Sequence, residues 1–326
     1  MAVLVTGGNG FIGSNIVRQL LDLGEDVIVF DARPPDAMNL RFLGPRAFEV
    51  EQVIGDVRDI QFLLELPSKY PINHVVHCAV FNVPLPTIEQ VHSREIVDVN
   101  IIGTTNVLEL AKVARPRRFV YMSSRTIYGM LDQVPNRPEE GWLGRPQRLY
   151  PISKYAGEMI ALRYGEIFNF DVRVARVTGP YGPMERKSEF RQNMSALHEW
   201  VGAALAGRPI TVPDLNLLMD TTHVSDVAAA VVRILTAEAP HYSIYNVGAE
   251  DENRIGTILH ALEEVVTGTS YSVDRNEDWS DQRHFVVGGY TSLVRLYADL
   301  NFRHKFPLKA GLQQYVRWRR DFEYFD

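Results

Sequence analysis

The sequence predicts an α/β fold, a doubly wound parallel sheet with a smaller, partly interleaved C-terminal domain. Three observations lead there. Short β-branched apolar runs recur through the first half, helical patterns separate most of them, and a glycine cluster directly follows the first run. Runs that are apolar throughout, instead of alternating, suit strands covered on both faces. Strands that alternate with helices give a parallel sheet.

The elements follow in order. The first strand is expected at residues 2–6, and a helix at 11–23 opens just after the glycines. Further strands are expected at 27–30, 48–54, 74–78, 118–122 and 170–176, with helices at 59–66, 89–113 and 152–168. Regularity fades after Arg176, where residues 178–183 read as a turn-rich break. Beyond it come a helix at 194–205, a short strand at 210–212, a strand start merging into a helix at 223–237, and a strand at 243–247. Helices recur at 255–267, 292–300 and 308–322. The sheet domain is therefore expected to comprise 1–176 plus about 222–248. The substrate domain takes about 177–221 plus 249–326.

Composition narrows the function. The 326 residues carry 34 Lys and Arg against 40 Asp and Glu, a net charge of −6, which is not the balance of a polyanion binder. Neither nucleic acid nor membrane is an expected partner. Cys78 is the one cysteine, so an intramolecular disulfide and a multi-cysteine zinc site are both excluded. No secretory signal is seen, and no apolar run reaches about 18 residues. A cytoplasmic location is the expectation.

The glycine cluster carries the first chemistry. Gly7 permits a tight turn, Gly10 lets backbone approach a pyrophosphate, and Gly13 lets the helix beginning Phe11-Ile12 pack closely on the sheet. A phosphate would sit at that helix N-terminus, where free N–H groups and the helix dipole favour negative charge. The sheet is therefore expected to be Rossmann-like. Asp31 ends the second strand, where a carboxylate accepts ribose hydroxyls and repels a 2′-phosphate. That favours NAD over NADP, although Arg33 offers a cation for a 2′-phosphate. Asp56 and Val57, after the third strand, are expected at the adenine. Cys78-Ala79-Val80, after the fourth, are expected to give backbone contact, with Cys78 as a small apolar filler.

Tyr150 and Lys154 lie four residues apart on an expected helix, hence on one face. A free tyrosine, with a pKa near 10, is a poor base. A nearby ammonium and a cationic nicotinamide would stabilise its phenolate and fit it for proton transfer at a secondary alcohol. Ser123 and Ser124 stand at the C-terminal end of the fifth strand, the edge where open α/β sheets place their sites.

These pieces, together with Asn100, the stretch Ser123-Ser-Arg-Thr-Ile-Tyr-Gly129, His223-Val-Ser-Asp-Val227 and Asn246-Val-Gly248, resemble the extended short-chain dehydrogenase/reductases, specifically the NAD-dependent epimerase/dehydratase family. The resemblance implies that Ser124 and Tyr150 act on the reacting alcohol and that Lys154 holds the nicotinamide ribose. It places Asn100 and Met122 beside the cofactor and Thr126 against substrate, where Arg125 and Thr178 are also expected to bind. It further implies a homodimer joined by a four-helix bundle built from 89–113 and 152–168.

The chain also departs from the family pattern. Arg125-Thr126 stands where dehydratases carry an Asp-Glu pair, which argues against dehydration. No asparagine accompanies Thr178-Gly179 to hold a diphosphate. The stretch Pro213-Asp-Leu-Asn-Leu-Leu-Met-Asp220 lacks the usual glycines and arginine, and Trp279-Ser-Asp-Gln-Arg283 offers no clear diphosphate clamp. Arg186, Lys187 and Arg191 are either an anionic substrate subsite or, with Glu185, a solvated loop. His198 and Trp200 are expected in structural roles, as is His223, and no metal site is expected. The first expectation is thus an NAD-dependent oxidoreductase that oxidises a secondary alcohol of a small polyhydroxylated or carboxylated substrate. A nucleotide-sugar 4-epimerase that retains its NAD is the alternative, and a non-catalytic NAD-binding protein is a minor one.

Overall fold

A computed structural model of the chain describes residues 2–82, 86–129, 137–188, 191, 194–249, 251–275 and 290–325. The first strand, β1 (Ala2–Thr6), is buried along its whole length. The turn after it delivers the chain to α1 (Phe11–Asp22), and β2 (Asp26–Asp31) returns parallel to β1. A short helix not foreseen from the pattern, α2 (Ala37–Leu43), follows. Asp36 caps it by accepting from Asn39 N, and the Asn39 side chain accepts from Asp36 N in return. β3 (Val50–Ile54) begins later than expected because 44–49 wind into a tight 3₁₀ turn. Asp59 caps α3 (Ile60–Lys69), which leads to β4 (His74–His77).

The long helix expected at 89–113 is interrupted. It divides into α4 (Pro86–Val91), α5 (Ser93–Val97), a wider π-helical turn (Asp98–Gly103) and α6 (Thr104–Ala114). The chain continues through β5 (Arg118–Ser124), a 3₁₀ turn (Arg125–Tyr128), α7 (Leu149–Phe168) and β6 (Asp171–Val177).

The later region supplies β7 (Pro180–Tyr181), α8 (Ala196–Leu205), β8 (Ile210–Val212), β9 (Leu218–Met219), β10 (Thr222–His223) and α9 (Val224–Thr236). After these come β11 (Ile244–Val247), β12 (Asn253–Arg254), α10 (Ile255–Val265), β13 (Tyr271–Val273), α11 (Val294–Leu300) and α12 (Leu308–Asp321). Seven strands form one parallel sheet in the order β11-β6-β5-β4-β1-β2-β3. The order reverses between β1 and β4, the switch point at which such sheets bind ligands beyond their C-terminal strand ends.

Three apolar clusters give the layers. Ile16, Leu20, Val231 and Leu296 pack α1, α9 and α11 on one face of the sheet. Leu63, Leu108 and Ala161 pack α3, α6 and α7 on the other. A separate cluster of Trp200, Leu259 and Leu312 unites α8, α10 and α12 in the smaller domain. Among the described residues, no helix is long and apolar enough to cross a membrane.

Candidate active site

The turn between β1 and α1 is built from atoms that leave no space for side chains. Gly7 has φ +67°, and a Cβ there would lie 2.7 Å from Ala79 N. A Cβ on Gly13 would overlap the Gly7 carbonyl oxygen, so the helix can meet the turn only through glycine. Beside the turn, Asp31 Oδ2 accepts from Asn9 N at 3.0 Å and Oδ1 accepts from Arg33 N at 3.1 Å. Burial raises the carboxyl pKa of Asp31, while these N–H groups and the Arg33 charge pull it down. Asp56 is joined to Arg58, whose side chain holds its carboxyl below the usual range. Burial pushes the Cys78 thiol up to about 12, as befits a filler and not a nucleophile.

A cavity of about 620 Å³ runs from this turn to the ends of β5 and α7. Its wall includes Gly7, Gly10, Phe11, Ile12 and Gly13, then Asp31, Arg33, Asp56, Val57, Cys78, Ala79, Val80 and Met122. Farther along are Ser124, Arg125, Thr126, Tyr150, Lys154 and Thr178. Ser124 Oγ accepts from Thr126 Oγ1 at 3.0 Å and from Thr126 N at 3.3 Å. Tyr150 and Lys154 stand one turn apart in the first half of α7, as the spacing predicts.

The electrostatics differ from expectation. Burial raises the Tyr150 hydroxyl above its ordinary pKa, and the opposing influences come from the Arg191 charge and from the Ser124 hydroxyl. Lys154 is itself buried, which lowers its amine to about 8 against the pull of Cys78 and Glu158. Its Nζ lies 4.4 Å from the centroid of the Tyr121 ring.

One residue expected at the cofactor does not line the cavity. Asn100 is buried behind the wall, because the π-helical turn carries it inward. There its Oδ1 accepts from Phe81 N at 2.8 Å and its Nδ2 donates to Ser153 Oγ at 2.9 Å, tying the loop after β4 to α7. Arg186 lines the same cavity, as expected of a ligand-facing residue. It pairs with Asp36 and donates to Asn39 Oδ1 at 2.7 Å, on the Asp31 side of the cavity. Its position results from contact with α2, the helix the pattern did not reveal.

Arg191 also lines the cavity. Its guanidinium lies 4.9 Å from the Phe11 ring centroid and pairs with Glu185 at 2.7 Å. Glu185 is fully buried, where it also accepts from Ser195 N and Ser195 Oγ at 2.7 Å each. Glu185 and Arg191 are therefore not part of a solvated charged surface, whereas Lys187 between them is exposed. His198 and Trp200 are core residues, and His198 Nε2 meets Tyr324 Oη at 3.1 Å. His223 caps α9 through Ser225 N, stacks on Phe306 and has its imidazole lowered to about 4 by burial, a structural role as expected. The stretch 279–283 lies outside the described residues. Among the described residues no cluster could hold a metal ion.

Other residues were not foreseen. Glu158 follows Lys154 by four residues on the same face of α7, and that spacing was the available signal. It is fully buried, accepts from Ser123 Oγ at 2.8 Å and pairs with Arg176 of β6. Arg176 donates onward to Tyr128 Oη at 2.9 Å, and Tyr128 Oη donates to Asn246 Oδ1 at 2.7 Å. Asp220 and Thr221 also line the cavity.

The family model described as the NAD dependent epimerase/dehydratase family matches residues 3–248. The chain belongs to this family. It is accordingly an enzyme of the NAD-dependent epimerase/dehydratase type. Among its relatives is UDP-glucuronate 4-epimerase 1 of Arabidopsis thaliana, 26% identical, with 98% of this chain and 76% of that protein covered. A probable UDP-glucuronate 4-epimerase of Rhizobium meliloti is 28% identical, with 98% and 96% covered. Among solved structures, the UDP-glucose 4-epimerase of Thermus thermophilus in complex with NAD superposes with a TM-score of 0.79 at 27% identity, covering 98% of this chain and 99% of that one.

Proposed function

We propose that this chain is an NAD-dependent UDP-sugar 4-epimerase, which reversibly oxidises a secondary alcohol on the sugar. This inverts the order expected from the sequence, where a dehydrogenase of a small free substrate came first. The observation that carries the reading is the single cavity joining the glycine turn and Asp31 to Ser124, Tyr150 and Lys154. The curated relatives named above, which span nearly the whole chain, support the epimerase form.

The residues fit a dinucleotide. The turn at Gly7 and Gly13 excludes side chains, and Asp31 is held by two backbone N–H groups at the strand end. Gly10, Phe11 and Ile12 would receive the pyrophosphate at the α1 N-terminus, Asp31 the adenosine ribose, and Asp56 with Val57 the adenine. Ala79, Val80 and Met122 would flank the rest, with Lys154 at the second ribose. A bound nicotinamide would supply the acceptor and donor of hydride for the substrate carbon.

The protein's own part is proton handling and orientation. Tyr150 Oη takes the proton of the substrate hydroxyl as its carbon is oxidised, then returns it to the carbonyl oxygen when the carbon is reduced on its other face. Ser124 Oγ hydrogen-bonds the same oxygen. The raised pKa of Tyr150 keeps it protonated at rest, so base strength must come from nearby cations. Arg191 is one, and the oxidised cofactor would be another.

One observation favours the dehydrogenase as a second reading. Two of the wall's arginines, Arg186 and Arg191, already pair with Asp36 and Glu185, and Met219 offers a diphosphate no donor. Incubation with UDP-glucuronate, UDP-glucose, free sugars and sugar acids separates the two. Epimer formation at catalytic NAD without net NADH supports the epimerase. Stoichiometric NADH from a free sugar or hydroxy acid replaces it with the dehydrogenase.

We further infer that the sheet domain comprises 1–176 plus about 222–248, and that two copies pair through α7 and the helices at 86–114. The exposed apolar side chains of Val91, Ile102, Val113, Ile152 and Met159 on these helices support pairing. Sedimentation of wild type and of Met159→Arg tests it. A monomeric wild type rejects the dimer.

A further inference from the structure

We infer that Tyr121 is the positioning residue of Lys154. The face of its ring holds the ammonium without accepting its hydrogen bonds, so the N–H donors are left for hydroxyls of the second cofactor ribose. The inference rests on reading Lys154 as the residue at that ribose. It adds how the protein keeps the lysine there.

Lys154 lines the cavity, and its Nζ lies 4.4 Å from the centroid of the Tyr121 ring. Among the described residues, no protein atom accepts a hydrogen bond from that Nζ. Nor is Nζ one of the side-chain atoms sealed from solvent without a partner, so its donors open on the cavity. Glu158, the carboxylate one turn farther along α7, is engaged elsewhere. It accepts from Ser123 Oγ at 2.8 Å and pairs with Arg176. The Tyr121 hydroxyl does not compete either. Its Oη donates to the Lys154 backbone carbonyl at 3.3 Å, so the ring offers Nζ its face and not its oxygen.

The surroundings fix the ring in this place. Tyr121 is fully buried in β5. A Cβ on Gly157 would lie 2.3 Å from Tyr121 Oη, so the hydroxyl fits against α7 only at a glycine. The His77 ring packs 5.9 Å from the Tyr121 ring and is itself held by Thr6 Oγ1 at 2.6 Å and Thr104 Oγ1 at 3.0 Å. These contacts lock Tyr121 against β4 and α7.

An aromatic face attracts a cation through its quadrupole, and more strongly where water is excluded. A carboxylate in the same place would also balance the charge, but it would draw the donors onto itself. An ammonium carries three donors and no acceptor. The ring face binds the charge as a whole and leaves those donors for the open side. The amine, lowered to about 8 by burial, still carries its proton at neutral pH.

The test combines calorimetric NAD titration with NMR of protein labelled with ¹³C at the lysine Cε. Tyr121→Leu is expected to weaken NAD binding by about 3- to 30-fold, the worth of a desolvated cation–π contact. Tyr121→Phe keeps the face and loses only Oη, so it should retain most of the affinity. In a Lys154→Met background, Tyr121→Leu should weaken NAD no further, because the ring acts through the lysine. An equal loss in both backgrounds overturns the inference and makes Tyr121 a packing residue. A Tyr121→Phe variant as damaged as Tyr121→Leu overturns it as well. The Lys154 methylene resonance, assigned by its absence from Lys154→Met, should be displaced upfield by the ring current in wild type and Tyr121→Phe. In Tyr121→Leu it should return to the ordinary lysine position. An undisplaced resonance in wild type overturns the inference whether or not the variants fold. If Lys154→Met weakens NAD but these signatures fail, only the part given to Tyr121 is rejected. If Lys154→Met binds NAD like wild type, the ribose role of Lys154 is rejected and this inference falls with it.

Discussion

Lys154 Nζ sits over the face of Tyr121, and its charge acts on His77 and Cys78. The lysine is thus held within the protein, beneath the wall it lines, and burial keeps its amine near 8, against 10.5 when unfolded. Between these values the unfolded chain binds the proton that the native protein has lost, so this group makes stability rise with pH. Below about 8 both states are charged and the burial penalty is constant. For cofactor-free protein, the stability of wild type relative to Lys154→Met should increase from pH 8 to 10.5, by on the order of 3 kcal/mol. Denaturant titrations across that window check it, and a flat difference would show an ordinary lysine.

Tyr150→Phe should lower turnover by about 10²- to 10⁴-fold with cofactor binding largely kept, because the phenyl ring fills the same space but carries no proton. Steady-state rates together with NAD titration measure both halves. Near-normal turnover would remove the hydroxyl from the reaction.

Wild type should bind NAD more tightly than NADP, since a 2′-phosphate beside Asp31 would place two anions together. Asp31→Asn should narrow the difference. Fluorescence titration at fixed ionic strength reads it. Tighter NADP binding by wild type would mean that Arg33 outweighs the carboxylate.

Glu158→Gln should destabilise the fold by about 3–5 kcal/mol, because it leaves Arg176 buried without its counter-charge. It should also push the Lys154 amine lower, since Glu158 is among the groups that hold it up. Urea unfolding tests the first effect and the pH dependence of stability tests the second. A loss below about 1 kcal/mol would mean that the Ser123 and Tyr128 hydrogen bonds suffice.

Features that depend on near neighbours in the chain were legible in the sequence. The glycine turn follows from its place between an apolar run and a helix, and Tyr150 with Lys154 from a spacing of one turn. Apolar runs located all the strands of the main sheet within a few residues. Features that depend on distant contacts were not legible. Arg186 is drawn to Asp36, 150 residues away, by a helix too short to show a clear period. The break at Asp98–Gly103 leaves an apolar pattern that still reads as one helix. Asp220 stood in a stretch noted for the glycines it lacks, and its orphaned oxygen emerges only when Gly248 and Ala249 fold against it.

The pairing of β11 with β6 has a consequence for dissecting the protein. Ile244–Val247 lies beside Val174–Val177 in the sheet, although the whole excursion through α8 and α9 separates them in the chain. A fragment stopped after Val177 would contain every nucleotide-facing turn, yet β6 would end as an open border with a row of unmatched N–H and C=O groups. Such a border recruits other chains. The piece that looks self-sufficient on paper is thus expected to self-associate when expressed alone, and adding a β11 peptide in trans should suppress this.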